Sequence, residues 1–205
     1  MNLRPSAVLL RRFWHAGRDF LSAPRAFVTT VLGFRRATDY DRWSCNDSLQ
    51  SNWDERTVMM AAYIPPGAAV IEFGAGAQAL RGVLPAECRY QPSDLVARTP
   101  DTLVCDLNSG YPDLAGQADV AVFSGVLEYI HDLPGLFDWL RGQVGQVVFS
   151  YATHEHTPSL IARRQNGWVN DLTENQITQI VVQAGFQGGA VTRWRGHVIF
   201  VVTRP

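Results

Sequence analysis

Short apolar runs and polar turns alternate regularly from about residue 64 onward. After the turn 65-PPG-67, the run 69-AVIEF-73 reads as a buried strand and 77-AQALRGVL-84 as a short helix. A second strand around 88-CRYQ-91 is expected to end at Pro92, and 102-TLVCDL-107 gives a third before the loop 108-NSGYPD-113. The apolar run 119-DVAVFSG-125 opens into a loop and a helix over roughly 133–142, and 144-VGQVVFSY-151 is the fifth strand. A long polar loop over 151–170 precedes the helical pattern 174-ENQITQIVVQAGF-186, which stops at Gly185. The stretches 190-AVTRW-194 and 197-HVIFVVTR-204 read as a final strand pair. This alternation predicts an α/β fold, a doubly wound and mostly parallel sheet with helices on both faces. The sheet domain is expected over 60–205, behind a partly helical extension over 1–59.

The extension has a different character. In 6-SAVLLRRFWHAGRDFLSAPRAFVTTVLGFRR-36, Val8, Leu9, Phe13 and Phe20 share a helical stripe flanked by Arg11, Arg12 and Arg18, and Pro24 interrupts it. The chain has a net charge of −1, but residues 1–36 carry seven arginines against Asp19 alone, and the remainder is acidic. A basic, partly apolar stretch of this kind suits a membrane surface, a partner subunit, or its own domain, with arginine stems covering apolar surface. No apolar run approaches the roughly 20 residues of a spanning helix, and no signal-peptide pattern appears. The expected location is therefore cytoplasmic, with peripheral membrane contact through residues 1–36 as the variant. Three cysteines without regular spacing argue against a disulfide framework or a zinc cluster. The joining segment 39-DYDRWSCNDSLQSNWDE-55 sets Tyr40, Trp43 and Trp53 among polar residues, either to close over a ligand or to pack the linker down.

The densest chemistry lies in 70-VIEFGAGAQAL-80, where Glu72 is followed by Gly74, Ala75 and Gly76. Glycines this close weaken a strand or helix interior, so they belong between elements, where the chain turns or a ligand approaches. Ligands of open α/β sheets bind beyond the carboxyl ends of the strands. A helix over 77–84 would offer unpaired N–H groups there. The stretch has no P-loop lysine, and a GxGxxG frame begun at Gly74 ends on Ala79. Glu72 would repel a pyrophosphate and instead suits a cationic amine. Asp94 can accept from a ribose diol, and Asp106 from an exocyclic amine with the Leu107 N–H beside it. An adenosine with a cationic amino-acid tail, S-adenosylmethionine, meets all three acids.

These residues resemble the Rossmann-like, seven-stranded (class I) S-adenosylmethionine-dependent methyltransferases, over about residues 60–203. The family's glycine motif (acid, any, Gly, any, Gly, any, Gly) matches at Glu72, Gly74 and Gly76, with Gln78 in place of the third glycine. The resemblance implies that this loop passes the methionine part of the cofactor. It implies that Asp94 holds the ribose, although Pro92 and Ser93 intrude on the pattern, and that Asp106 lies on the adenine side. Ser124 and Gly125, in 122-VFSGVLEYIHD-132, would line the cofactor.

The cofactor carries an activated methyl group, so the protein must align an acceptor, exclude water and take up a proton where the acceptor needs it. His131 is the candidate base; its alternative is a solvent-exposed or helix-capping residue beside Asp132. Tyr129, Tyr151, His154 and His156 are candidate acceptor contacts, with plain packing as the alternative for Tyr129. The pair in 154-HEH-156 faces opposite ways on a strand, and no metal is expected. The loop 151–170 is long enough to serve as a lid. The expected function is methyl transfer to a small-molecule or glycan-like acceptor, oxygen preferred because a histidine base helps a hydroxyl. An acidic core and 124-SGVL-127 in place of a Pro-Pro-aromatic motif argue against nucleic acid. Two alternatives stay open: a catalytically inactive methyltransferase-like subunit or scaffold, and a NAD-dependent oxidoreductase without its glycine fingerprint.

Overall fold

The computed structural model describes residues 24–49, 51–114 and 116–205. The strands are β1 Ala69–Phe73, β2 Arg89–Asp94, β3 Leu103–Val104, β4 Val120–Phe123, β5 Gln146–Tyr151, β6 Gln187–Trp194 and β7 His197–Thr203. They form one seven-stranded sheet in the order β3-β2-β1-β4-β5-β7-β6. The first five are parallel, and the β6–β7 hairpin joins antiparallel to β5. Strand order reverses between β1 and β4, which opens a crevice at their carboxyl ends, the usual ligand position in such sheets.

The helices are α1 over residues 24–35, α2 Tyr40–Trp43, α3 Asp54–Ala61, α4 Leu133–Gln143, α5 Leu160–Gln165 and α6 Glu174–Gln183. Strand alternation sends Ile71, Phe73, Phe123 and Phe149 to one face, under Leu136 and Phe137 of α4 and Ile177 of α6. Val70, Val120, Val122 and Val148 go to the other face, under Met60 and Ala61 of α3. Phe73 stacks on Phe123 at 5.0 Å and Phe149 on Phe200 at 4.8 Å, each pair in register across neighbouring strands. Asp132 caps α4 by accepting from Gly135 N, and a Thr173–Gln176 capping box starts α6. The alternation from 64 onward thus becomes an α/β sheet covered on both faces.

Several segments depart from expectation for local reasons. β2 does not end at Pro92 but runs through it to Asp94. Arg89 N donates to Ala68 O on the β1 side, so alternation turns the nitrogen of residue 92 toward β3, whose pairing begins only at Ser93. The missing N–H costs no ladder bond there. β3 is shorter than the expected 102–107 because Asp106 starts a turn, taking Asn108 N on its side chain and Ser109 N on its carbonyl. The helix expected over 77–84 is a single 3-10 turn, Ala79–Gly82. Gln78 ahead of it is left-handed, φ +59°, and is held there by Thr99 Oγ1 at 2.8 Å from its Nε2.

The loop 151–170 is a folded wall rather than a free lid. It contains α5, and the fully buried Arg163 donates to Ala152 O (2.9 Å), Asn170 O (3.0 Å) and Asp171 Oδ1 (2.9 Å). In the extension, α1 leaves Phe27, Val28 and Phe34 exposed. The stripe of Val8, Leu9, Phe13 and Phe20 with Arg11, Arg12 and Arg18 lies outside the described residues.

Candidate functional site

Phe73 and Phe123 end neighbouring strands, so Gly74 and Ser124 follow side by side at the crevice. Gly74 has φ +64°, and a Cβ there would come within 2.5 Å of Val126 Cγ2. The glycine loop and the turn after β4 therefore pack directly on one another. Gly76 N donates to Asp94 Oδ2 (2.8 Å) and Ala75 N to Ser93 O (3.0 Å), which ties the loop to the end of β2. Asp94 is buried, its other oxygen accepting from Leu95 N at 2.7 Å. Asp106 follows β3, with the buried Leu107 beneath it in the core. Gly74, Ala75, Gly76, Asp94, Asp106, Leu107, Ser124 and Gly125 thus form one row along the carboxyl ends of β3, β2, β1 and β4.

Glu72 sits one step inside this row. It is 3% exposed and accepts a short hydrogen bond from the Tyr90 hydroxyl. Burial pushes its carboxyl up to about 8, against the lowering effect of the Tyr90 bond and with a further push from Asp94. It is largely uncharged at neutral pH, so the anion expected there for an ammonium group is not supplied in this state.

A strap of residues 37–49 lies along the row. The Thr38 hydroxyl donates to Asp106 Oδ1 (2.7 Å). Arg98, whose Nε is 3.5 Å from Asp94 Oδ2, donates to the carbonyls of Trp43 and Ser44 and to Asn46 Oδ1. Leu49 lies 3.2 Å from where a Cβ of Gly76 would stand. Asp106, Asp94 and Gly76 are in this way each linked to the strap, Asp94 through Arg98.

The strap also walls a small cavity of about 20 Å³, bounded by Leu32 of α1, Thr38, Trp43, Tyr129, Gly167 and Val169. Trp43 meets Tyr129 edge-on with ring centroids 4.7 Å apart, and Trp168 Nε1 donates to the Tyr129 hydroxyl (3.2 Å). His131 stands one residue behind the cavity wall. Its Nε2 is 3.2 Å from Ala37 O, and its backbone N donates to Asn108 Oδ1 (2.9 Å).

The other expected acceptor contacts lie elsewhere. Tyr151 is fully buried in the core, and its hydroxyl bonds Asn170 and accepts from Leu172 N (3.0 Å), bracing the 151–172 segment. His154 and His156 lie in the turn after β5. His154 N donates to Leu172 O (2.9 Å), and His156 Nδ1 is 3.0 Å from Thr153 Oγ1. None of these three lines the cavity. Among the described residues no cluster of His, Cys, Asp and Glu is placed to hold a metal.

Three residues at the crevice carry chemistry that the sequence reading passed over. Arg56 of α3, 4% exposed, donates from Nε to Ser124 Oγ and from Nη2 to Ser124 O, both at 3.1 Å. A Cβ on Gly125 would stand 2.4 Å from Nη2, so Gly125 makes room for this guanidinium. Glu128 is completely buried; its Oε1 accepts from Ala152 N (2.6 Å) and faces His197 Nδ1 at 3.4 Å. Burial works to raise this carboxyl, but the bond and charge of His197 and the charge of Arg56 outweigh it and hold it below its ordinary range. Only Arg56 left a trace in the sequence: it shares a helix face with the core residue Met60, four positions on. Glu128 and His197 meet only through long-range folding, which no local pattern encodes.

A family model described as a methyltransferase domain matches residues 46–190. Among solved structures, one similar fold belongs to the complex of the Haloferax volcanii Trm112 methyltransferase activator with its methyltransferase. It has 14% identity and a TM-score of 0.65, and the match covers 82% of this chain and 98% of that one. An S-adenosylmethionine-dependent methyltransferase from Mesorhizobium loti has 13% identity and a TM-score of 0.56, with 71% and 96% covered. The O-methyltransferase NcsB1 of neocarzinostatin biosynthesis, in complex with S-adenosylmethionine and a naphthoic acid, has 16% identity and a TM-score of 0.59, with 92% and 70% covered. At these identities the likenesses establish the fold. No curated protein sequence gives a significant match.

Proposed function

Since the chain belongs to the methyltransferase-domain family, whose cofactor is S-adenosylmethionine, we propose that it methylates a small, largely apolar acceptor, at a hydroxyl by preference. The observation that carries this reading is the sharing of Thr38 and Trp43 between the glycine-loop row and the cavity. One strap thereby touches both the row assigned to the cofactor and the small cavity assigned to the acceptor. The residues of the row suit the cofactor in kind, with backbone at Gly74 and Gly76 and with Asp94 and Asp106 on the β2 and β3 side for ribose and adenine, once the strap contacts of Thr38, Arg98 and Leu49 give way to it. When bound, the cofactor supplies an electrophilic methyl group on sulfur.

What this chain's own residues do is position and exclude water. The walls of Trp43, Tyr129, Leu32 and Val169 are apolar and aromatic, which suits an apolar acceptor better than a glycan where the strap opens to admit one. Burial holds the Tyr129 hydroxyl above its ordinary pKa, so it stays a neutral donor and acceptor at the rim. His131 is the residue assigned to take the acceptor's proton, a role that requires its Nε2 to leave Ala37 O, and such a base favours oxygen over an amine that arrives unprotonated. NcsB1 supports an aromatic hydroxyl acceptor by analogy of fold.

Residues 1–36 are assigned to a surface: their basic, apolar character and the exposed Phe27 and Phe34 suit a membrane face or a partner subunit. The Haloferax methyltransferase, solved with its activator, favours the partner as the second reading. No helix among the described residues is long and apolar enough to cross a membrane. The test is to incubate the full chain with S-adenosylmethionine and fractionated small-molecule extract. Release of S-adenosylhomocysteine together with a product heavier by one methylene is expected, and Trp43→Ala should depress both. Failure to form S-adenosylhomocysteine with any fraction, while the cofactor binds, would instead support the inactive-subunit alternative.

A further inference from the structure

The helix that walls the cavity has a second face. At roughly 100° per residue, positions two apart in a helix point to nearly opposite sides. Thr29, 2% exposed, and Leu32 of α1 line the cavity. Phe27 stands two positions before the first and Phe34 two after the second, and they are 70% and 88% exposed. With Thr30 and Val31 they recur at i, i+3, i+4 and i+7, a single stripe along the outside of α1. The Thr30 hydroxyl donates to Ala26 O at 2.8 Å, so the polar side chain in the stripe is already satisfied within the helix.

The charge around this stripe says what covers it. The helix 24-PRAFVTTVLGFR-35 contains no acid. Arg25 lies near one end, and Arg35 and Arg36 at the other, all three exposed. Over residues 1–36 seven arginines stand against Asp19 alone, and the rest of the chain is acidic. An anionic surface therefore attracts this end of the molecule and repels the remainder, which turns the stripe toward it. Arginine stems at the helix ends can lie along the apolar boundary with their charges among the head groups.

The same helix is tied to the site. Arg36 is left-handed, φ +51°, Ala37 N donates back to Leu32 O (3.0 Å) and Arg36 N to Gly33 O (3.2 Å), so α1 ends in a closed turn that leads directly into Thr38 of the strap. The stripe and the cavity are thus separated by one helix, about 10 Å thick. The segment that supplies Gly167 and Val169 to the cavity also exposes Leu160 and Ile161.

We infer that α1 docks on an anionic lipid bilayer through Phe27, Val31 and Phe34, and that the acceptor is an amphiphile held in that bilayer. The acceptor half rests on the methyl-transfer reading above; the docking half stands apart from it.

Flotation of the full chain with phosphatidylglycerol vesicles, and with phosphatidylcholine vesicles for comparison, tests the docking face. Wild type should float with the anionic vesicles at low salt and stay below with the neutral ones. Phe27→Ser/Phe34→Ser should weaken that partition by roughly 10- to 100-fold, as two phenylalanines partly withdrawn from water require. Val182→Ser, at an exposed position on α6, should float like wild type, and both variants should keep the wild-type affinity for S-adenosylhomocysteine. A double variant that floats like wild type overturns the docking face. A wild type that ignores lipid charge overturns the anionic bilayer, and one that floats with neither vesicle leaves the stripe to a protein partner. For the acceptor, the chain is incubated with methyl-labelled S-adenosylmethionine and phosphatidylglycerol vesicles that contain a total lipid extract. Label should enter the organic phase, and fall in Phe27→Ser/Phe34→Ser in step with its flotation. Label confined to a water-soluble extract overturns the bilayer acceptor. Absence of label from every extract, with flotation as expected, removes the methyl-transfer reading and this acceptor with it, and upholds the docking face.

Discussion

Gly74→Ala measures how tightly the crevice is built. The residue has φ +64°, a region that costs an alanine about 1 kcal/mol or more relative to glycine. The added Cβ would also stand 2.5 Å from Val126 Cγ2, with Val126 Cγ1 and Cβ at 3.6 and 3.7 Å. Val126 is itself held between the turn and the core, so it can give way only by straining the post-β4 turn. Overpacking of this kind costs about 1–3 kcal/mol, for a total of about 2–4 kcal/mol. Gly76→Ala meets the same backbone cost at φ +49°, but its nearest neighbour is the flexible end of Leu49 at 3.2 Å. It should lose only about 1–2 kcal/mol. Urea unfolding of Gly74→Ala, Val126→Ala and the double variant gives the packing part as a coupling energy of about 1–3 kcal/mol in favour of the double. A loss below about 1 kcal/mol for Gly74→Ala, or additive singles, would refute the steric account.

Three further outcomes follow from specific contacts. Glu72 titrates at about 8 in the folded chain against an ordinary 4.5, so the fold holds a proton that the unfolded chain releases. Its contribution is full below about pH 4.5 and is lost as pH rises through about 8, by up to about 1.4 kcal/mol per unit. Urea stability measured across pH 5 to 8 should therefore fall in wild type and flatten in Glu72→Gln; equal slopes would contradict the buried neutral carboxyl. Arg163→Met leaves the buried carbonyls of Ala152 and Asn170 without this donor and Asp171 held by Arg164 alone, and should cost about 2–3 kcal/mol in the same assay. A cost under about 1 kcal/mol would mean that the 151–172 segment is not pinned by this side chain. For the N-terminal surface, flotation with anionic vesicles should favour full-length chain over one lacking residues 1–36, more so at low salt. Equal flotation of both, or of neither, would leave the partner subunit as the occupant.

Where the sequence was a good guide, the signal was local. The apolar runs at 69–73, 119–123, 146–151 and 197–203 became β1, β4, β5 and β7, since burial on both faces needs nothing beyond hydrophobic continuity. The glycine pair and the acids at 94 and 106 were legible because each ends or follows a strand. Two local rules misled. Proline at 92 looked like a terminus, yet its nitrogen faces an unpaired edge, which depends on where β3 starts. Gln78 looked like a helix residue, but its left-handed backbone, fixed from Thr99, unwinds the start of that helix. Arg56, Glu128 and His197 were illegible because they come from α3, the turn after β4 and β7, and only the folded sheet brings them together. Tyr151 was named for the pocket because it ends a strand, and its fully buried side chain is turned into the core by the period of β5.

The central claim is that the row from Asp106 to Gly125 is a cleft for S-adenosylmethionine, and direct titration tests it most simply. Isothermal titration of the full chain should give one site for S-adenosylmethionine and for S-adenosylhomocysteine. Asp106→Ala should weaken both by roughly 5- to 150-fold through loss of one acceptor at a charged or polar partner. Heat signals absent for both ligands in wild type, or an Asp106→Ala chain that binds like wild type, would contradict it.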